Sequence, residues 1–352
     1  MRIYDKQLIY AAKDCYVAYR AGRFYRVSLN FADSVFLCSV VTRKIENILH
    51  LCPLTARLFR LTPRAIIGID DDNILFAYNG HIYRLNFRNG DLEIEHDFQS
   101  PMRAPLSFYK VTGLSGFNDT IIYGEYHGNI EGGPMSIYAR TISATWKKVY
   151  TFHSSTILHI HGFCADYVHD RLLIMTGDND SESGFWEAYN NFEIVRPILL
   201  GSQKYRACVA YSTNSSSIIY PTDTPLESNM LFELDQTNVI TSLYEMPGPC
   251  VFAREHNGKY LFATSVEGDS RMNKMRYLFT RKIGPGVKDK FVHIIYGSKE
   301  DGFKEIMRLK KDNLPYLLFE FANASFCEGF NKNVIINPQS IKGFYQKSII
   351  LD

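Results

Sequence analysis

His159 and His161 stand two residues apart in His159-Ile160-His161-Gly162, a run that otherwise reads as strand, so both imidazoles project to one face. That placement suits two metal ligands, or a base and its partner; the plainer use of such a pair is hydrogen bonding across a strand interface. Asp178, Glu182 and His127 are the candidate third ligands, none of them at tight spacing. Glu125, Asp178 and Asp223 can supply the two carboxyls that glycoside hydrolysis needs, one as acid and one as nucleophile or base, with His161 beside them. Against this stands the ordinary use of strand-end carboxylates, which fix turns such as Asp178-Asn179-Asp180 and Asp223-Thr224-Pro225 by accepting backbone N–H bonds. Tyr205-Arg206 opens a second route. A tyrosine acid or base with an arginine neutralising a uronate suits β-elimination, whereas the bland alternative is a packed Tyr beside a surface Arg.

These residues fall in stretches where polar side chains interrupt apolar strands, and burying them is costly unless they are paired or used. The stretches are Gly124 to Asn129, His159 to Gly162, Thr176 to Glu182, Gln203 to Arg206, and Thr222 to Asn229. They nominate Tyr126, His127, His159, Tyr205, Arg206, Glu227 and Asn229 as substrate contacts. Glu267 joins them at the start of a segment running to about Lys290, read either as a lid or as a solvated surface excursion.

What must position them is a β architecture. Phe, Tyr and Trp make up 14% of the chain, and the apolar runs are short, β-branched or aromatic, and bounded by Gly, Asn, Asp or Pro. Five similar segments recur: Ile74 to Tyr78, Ile121 to Glu125, Leu172 to Thr176, Ile218 to Thr222 and Leu261 to Ser265. Starting at 74, 121, 172, 218 and 261, they are spaced by 47, 51, 46 and 43 residues, and most sit in a group of four short strands. Four strands in roughly 45 residues is the period of a β-propeller blade. The expected fold is all-β: a propeller of seven four-stranded blades, with six as the alternative, forming one domain over residues 1–352. Closure is expected from the strands near 316–321, 334–337 and 348–351, completed by an N-terminal strand near Gln7 to Ala11. One helical insertion is predicted from Arg43 to Arg60, split or kinked at Pro53. In such a ring the polar stretches converge on one mouth of the central channel.

Composition bounds the rest. The 352 residues are 46% hydrophobic and carry a net charge of +2, which is neither a disordered chain nor a nucleic-acid-binding footprint. No apolar run is long enough to span a membrane, and Met1 to Lys6 lacks the pattern of a secretory signal. The seven cysteines are scattered and form no CxxC pair. The expectation is a cytoplasmic protein with reduced thiols. There is no GxxxxGK[ST], strand-linked GxGxxG, HExxH, GxSxG or EF-hand loop, so nucleotide, zincin, α/β-hydrolase and calcium-sensor readings lose their usual support.

Two turns carry a family likeness. Ala139 to Trp146 keeps the Thr-Trp end of the Ser-x-Asp-x-Gly-x-Thr-Trp hairpin, and Ser298 to Phe303 keeps its Ser and Gly with an aromatic following. From about residue 65 onward the chain resembles uncharacterised members of the sialidase-like, Asp-box (BNR-repeat) propeller superfamily, whose HxHG and TGD stretches are matched by His159 to Gly162 and Thr176 to Asp178. That resemblance implies a propeller with Asp-box turns between third and fourth strands. The nearest match to the first arginine motif of true sialidases, Phe59-Arg60-Leu61-Thr62-Pro63, has one residue too many, and the sialidase catalytic residues are not carried over.

Taken together these features lead to a carbohydrate-active propeller, a glycoside hydrolase in preference to a lyase, acting on a microbial polysaccharide or oligosaccharide. The alternative is a non-catalytic glycan-binding or protein-scaffolding propeller, and exposed apolar residues on the helical insertion would favour the latter. No cofactor is expected, a divalent metal on the histidines being the exception. No nucleic-acid partner and no membrane insertion are expected.

Overall fold

In a computed structural model, which describes residues 1–41, 44–213, 216–330 and 332–351, the strands form seven antiparallel sheets arranged as the blades of a β-propeller. Blade 1 is built from Gln7–Ala11, Cys15–Arg20, Arg23–Ser28 and Ser34–Ser39, with the short Glu328–Gly329 added in parallel to its first strand. Blade 2 takes Arg64–Gly68 through Leu92–Asp97, blade 3 Tyr109–Val111 through Trp146–Phe152, and blade 4 His159–Asp166 through Ile194–Leu200. Blade 5 runs from Tyr211–Ser212 to Ile240–Met246 and blade 6 from Cys250–His256 to Gly302–Lys310.

All five repeated segments are second strands, in blades 2 to 6. Their apolar character follows from burial on both faces. In Arg171–Gly177, Leu172 and Ile174 pack toward blade 3 while Leu173 and Met175 pack toward blade 5. Side chains alternate across a strand, so one short run feeds two interblade cores, and a continuous apolar sequence is required. The turns at 141–145 and 299–301 lie between third and fourth strands, in blades 3 and 6.

Closure differs from expectation in two strands. Blade 7 consists of Asn323–Phe326, Val334–Gln339 and Ser348–Leu351, and its outermost strand is Arg2–Tyr4, paired as Ile3 with Ile349. Gln7–Ala11 instead begins blade 1, because only two residues separate it from Arg2–Tyr4 and the chain has crossed from the outside of one blade to the inside of the next. Tyr316–Phe319, expected as strand, is a single helical turn. The helical insertion is two short helices, Lys44–His50 and Pro53–Leu58, with Pro53 at the start of the second, where its missing N–H costs nothing. Arg43 lies outside the described residues.

First strands start, and second strands end, at the same rim of the ring. In blades 1, 2, 4 and 6 the pairing of these two strands is broken by a bulge. Helices Pro53–Leu58, Lys274–Phe279 and Tyr316–Phe319 sit at that rim, and Arg57 links two of them by donating to the Phe319 carbonyl and pairing with Asp312 at 2.5 Å. Below them a cavity of about 260 Å³ is lined by inner-strand residues of five blades, including Ile9, Ile67, Phe108, Phe252 and Asn323, and by Tyr126.

Candidate functional site

The rim of blades 4 to 6 collects the polar residues that sequence singled out. His159 opens the first strand of blade 4 opposite Gly177, and the register slips between Ile160 and Gly162, leaving His161 as the extra residue of a bulge. A bulge re-aims the side chain it carries. Here the two rings stack with centroids 5.0 Å apart. Ile160, between them, packs the other way into the core shared with blade 3. The second strand ends at Gly177, and a Cβ there would lie 2.5 Å from His161 Cε1, so only glycine leaves room for that ring.

Asp178, the next residue, meets both imidazoles. His161 Nε2 is 3.1 Å from Oδ1 and His159 Nε2 is 3.3 Å from Oδ2. Arg206, arriving just ahead of blade 5, places Nη2 2.8 Å from Asp178 Oδ1 and 3.7 Å from Asp223 Oδ2, while Nη1 donates to the Asp178 carbonyl at 3.1 Å. Gln203 donates to the same carbonyl at 2.9 Å. Asp223, at the end of the second strand of blade 5, accepts from the Cys208 thiol at 3.2 Å. Glu267, beyond the second strand of blade 6, accepts from Ser265 Oγ at 2.6 Å.

Electrostatics separates these groups. Enclosure works to raise the Asp178 carboxyl, but the Arg206 guanidinium leads the influences that outweigh it and hold Asp178 well below the usual carboxylate range. Glu267 goes the other way. Enclosure, aided by the nearby Asp223, pushes it up to about 7. Burial lowers His161, and burial with the neighbouring Asp223 holds the Cys208 thiol protonated. Tyr126 packs its ring 4.4 Å from that of His159, and burial pushes its hydroxyl well up. It also joins the cluster to the channel cavity, since no other residue of the cluster lines that space.

Of the residues nominated from sequence, Tyr126, His159, His161, Asp178, Arg206, Asp223 and Glu267 are brought together. The remainder serve their own blades. Glu125 turns toward the third strand of blade 3, accepting from the Ser136 N–H at 2.7 Å and from Tyr138 at 3.4 Å. His127 bonds the Gly128 carbonyl, and Glu182 accepts from Asn179. Tyr205 packs against the apolar side chains between blades 4 and 5. Glu227 is exposed on a turn. Asn229, almost fully buried, donates to the carbonyls of Thr224 and Gly286 and accepts from Thr222 and the Thr224 N–H. It ties the turn of blade 5 to the segment that follows Glu267.

Two contributors escaped the sequence reading. Cys208 was one scattered cysteine among seven, although its place two residues after Arg206 on the way into an inner strand was a usable signal. Tyr277, on helix Lys274–Phe279, is pushed up to about 12 by burial and by the fields of Glu267 and Asp178, which puts the segment from Glu267 to Lys290 against the site. All seven cysteines are free.

Comparison with known proteins bears on the fold. No family model and no curated protein matches the sequence. Among solved structures, the WD40 β-propeller domain of Doa1 is similar with a TM-score of 0.54 at 10% identity, over 100% of this chain and 94% of that one. A chain of the Mitotic Checkpoint Complex gives 0.51 at 8% identity, over 98% and 88%. The chain is a β-propeller, and at these identities the likeness extends to the fold alone. Among the described residues, no helix is long and apolar enough to cross a membrane.

Proposed function

We propose that the rim of blades 4 to 6 binds an oligosaccharide or polysaccharide of microbial type and hydrolyses a glycosidic bond. One observation carries this reading: three carboxyls that follow the second strands of successive blades share the field of the Arg206 guanidinium, and one of them, Glu267, is pushed up to about 7. Carboxyls pushed apart in this way divide the work of acid and base. Glu267 gives its proton to the leaving oxygen as the bond from that oxygen to the anomeric carbon breaks. A water attacks the same carbon and loses its proton to Asp178. Hydrolysis is favoured over elimination because Tyr205 lies among apolar side chains and Arg206 is already engaged by carboxylates. The narrower kinship with Asp-box propellers, read from the turns ending at Trp146 and Phe303, accords with a sugar substrate, and seven free thiols accord with a cytoplasmic setting.

The test is release of reducing ends from a panel of neutral and acidic microbial oligosaccharides. Glu267→Gln and Asp178→Asn should each lose about 100-fold or more in rate while keeping the wild-type fold by circular dichroism. Unsaturated uronate products would point to elimination instead. No product from any member of the panel, with folded protein, would leave a binding propeller.

A second reading has its own observation. On helices Lys44–His50 and Pro53–Leu58, Ile45, Ile48 and Leu51 are exposed at 63%, 63% and 83%, with Leu54, Leu58 and Phe59 beside them. Exposed apolar groups of that extent mark contact surfaces. This favours a protein-scaffolding role, to be tested by asking whether Ile48→Glu with Leu51→Glu abolishes co-purification with a partner while leaving the thermal midpoint unchanged.

A further inference from the structure

We propose that His159 Nε2, His161 Nε2 and the Asp178 carboxylate form a three-ligand site for a divalent first-row transition-metal ion. It deepens the hydrolytic reading by placing a Lewis acid at the carboxylate that faces the attacking water, and it is tested by metal content rather than turnover.

The argument begins with proton positions. His159 Nδ1 lies 3.4 Å from the His127 carbonyl oxygen and His161 Nδ1 lies 3.2 Å from that of Ala207. A carbonyl only accepts, so Nδ1 carries the proton on each ring, and a neutral imidazole then presents a bare lone pair at Nε2. Both Nε2 atoms face Asp178. Two lone pairs facing a carboxylate at 3.1 and 3.3 Å repel it unless a cation sits between them, and Arg206, bound to Asp178 at 2.8 Å, offsets the charge of the carboxylate without giving either Nε2 a donor. His159 is 5% exposed, and its Nε2 has no hydrogen-bond partner. Protonating both rings instead would bury two positive charges 5.0 Å apart, centroid to centroid, beside the Arg206 guanidinium.

The geometry fits a metal. Ligand atoms bound at about 2.0–2.2 Å in a tetrahedral or facial arrangement are about 3.0–3.5 Å from one another. The three groups offer one ligand atom each, all within 4.8 Å of one another, and each nitrogen has its own Asp178 oxygen within the narrower range, Oδ1 for His161 and Oδ2 for His159. An Nδ1–H bonded to a carbonyl is also the contact that orients a ligating histidine. A second grouping, His161 with Cys208 and Asp223, is the weaker site, since it would use His161 Nδ1 and break the bond to Ala207. The carboxylates of Asp178 and Asp223 outnumber the single guanidinium they share, which leaves room for added positive charge. Imidazole and carboxylate together suit Zn²⁺, Fe²⁺ or Mn²⁺ rather than Ca²⁺.

The full-length protein, freed of metal with a chelator, is titrated with Zn²⁺, Co²⁺, Fe²⁺ and Mn²⁺ by calorimetry, with metal content measured after gel filtration. The expected result is one ion per chain, a Co²⁺ visible spectrum showing imidazole coordination, and at least a 100-fold loss of affinity in both His159→Gln and Asp178→Asn. Failure of folded wild-type protein to retain any of the four ions would overturn the proposal, as would unchanged affinity in the two variants. Should a variant misfold, the Co²⁺ spectrum and stoichiometry of the wild type decide. Metal binding without turnover sinks only the hydrolytic reading; turnover with no ion retained by the folded wild type sinks only the metal site.

Discussion

Arg206 reaches back from the approach to blade 5 to place its Nη2 2.8 Å from the Asp178 carboxylate at the end of the second strand of blade 4. The guanidinium is 10% exposed and the carboxylate 34%, so the pair is half shielded from water and couples two neighbouring blades at the rim. Removing one partner leaves Asp178 and Asp223 without their cation in a poorly hydrated place. Arg206→Ala should therefore cost about 3 kcal/mol, read as a lower denaturation midpoint, because an uncompensated buried charge is the expensive outcome. Arg206→Lys should recover only part of this, since one ammonium cannot reach both the Asp178 carboxylate and its carbonyl. A midpoint for the alanine variant equal to wild type would mean the pair contributes nothing to interblade cohesion.

Glu267 makes a prediction about pH. Its folded-state value, about 7, lies above the 4.5 of the unfolded chain. Folding thus favours the protonated form, and the associated stabilisation is full below pH 4.5 and is lost as pH rises through about 7. The loss is on the order of 1–3 kcal/mol. Glu267→Gln, which cannot ionise, should lack this component. The difference in unfolding free energy between variant and wild type should shift in favour of the variant between pH 4.5 and pH 8; a constant difference across that range would show that Glu267 titrates normally.

Gly177 tests whether the site geometry depends on close packing. A Cβ at this position falls 2.5 Å from the His161 ring, which is 2% exposed and has nowhere to retreat. Gly177→Ala should displace the imidazole, lower stability by about 1–3 kcal/mol and shift the His161 ring resonances in NMR spectra. Gly128→Ala is the control, because nothing lies within 4 Å of its Cβ position. Equal behaviour of the two variants would argue that the rim adapts freely.

The blades were legible because a strand buried on both faces must be apolar throughout, as in Leu172-Leu173-Ile174-Met175, and that pattern survives at a near-constant interval. The closing strand was not, since Arg2–Tyr4 is three residues long and its partners lie almost 350 positions away. His159, His161, Asp178, Arg206 and Asp223 were recognisable as polar residues at equivalent strand ends. Glu125 has the same sequence position in its blade as Asp178 has in blade 4, yet it turns aside because Ser136 and Tyr138 offer it donors. Nothing in the sequence separates those two outcomes, which depend on the neighbouring strand. The bulge that re-aims His161 is likewise a matter of strand register and not of residue type.

Asn229 bears on how the segment from Glu267 to Lys290 is held against the site. Its amide donates to Gly286 at 2.9 Å and to Thr224 at 2.7 Å, and its oxygen accepts from Thr222 and from the Thr224 N–H. Gly284 and Gly286 make the approach feasible, since a Cβ on either would strike the Pro225 or Glu227 carbonyl at 2.6 or 2.1 Å. Asn229→Ala removes a buried group with five bonds and leaves the carbonyls of Thr224, Glu227 and Gly286 short of a donor, at a cost of about 2 kcal/mol. That cost falls at the junction, so the segment should loosen before the ring does. Brief trypsin treatment should cut the variant at Arg281 or Lys282 several times faster than wild type, with hydrogen exchange rising over 266–290 and unchanged in the second strands. Protection spread evenly over blades 5 and 6 would instead make Asn229 a part of the ring and leave the segment anchored by Tyr277 and Tyr316.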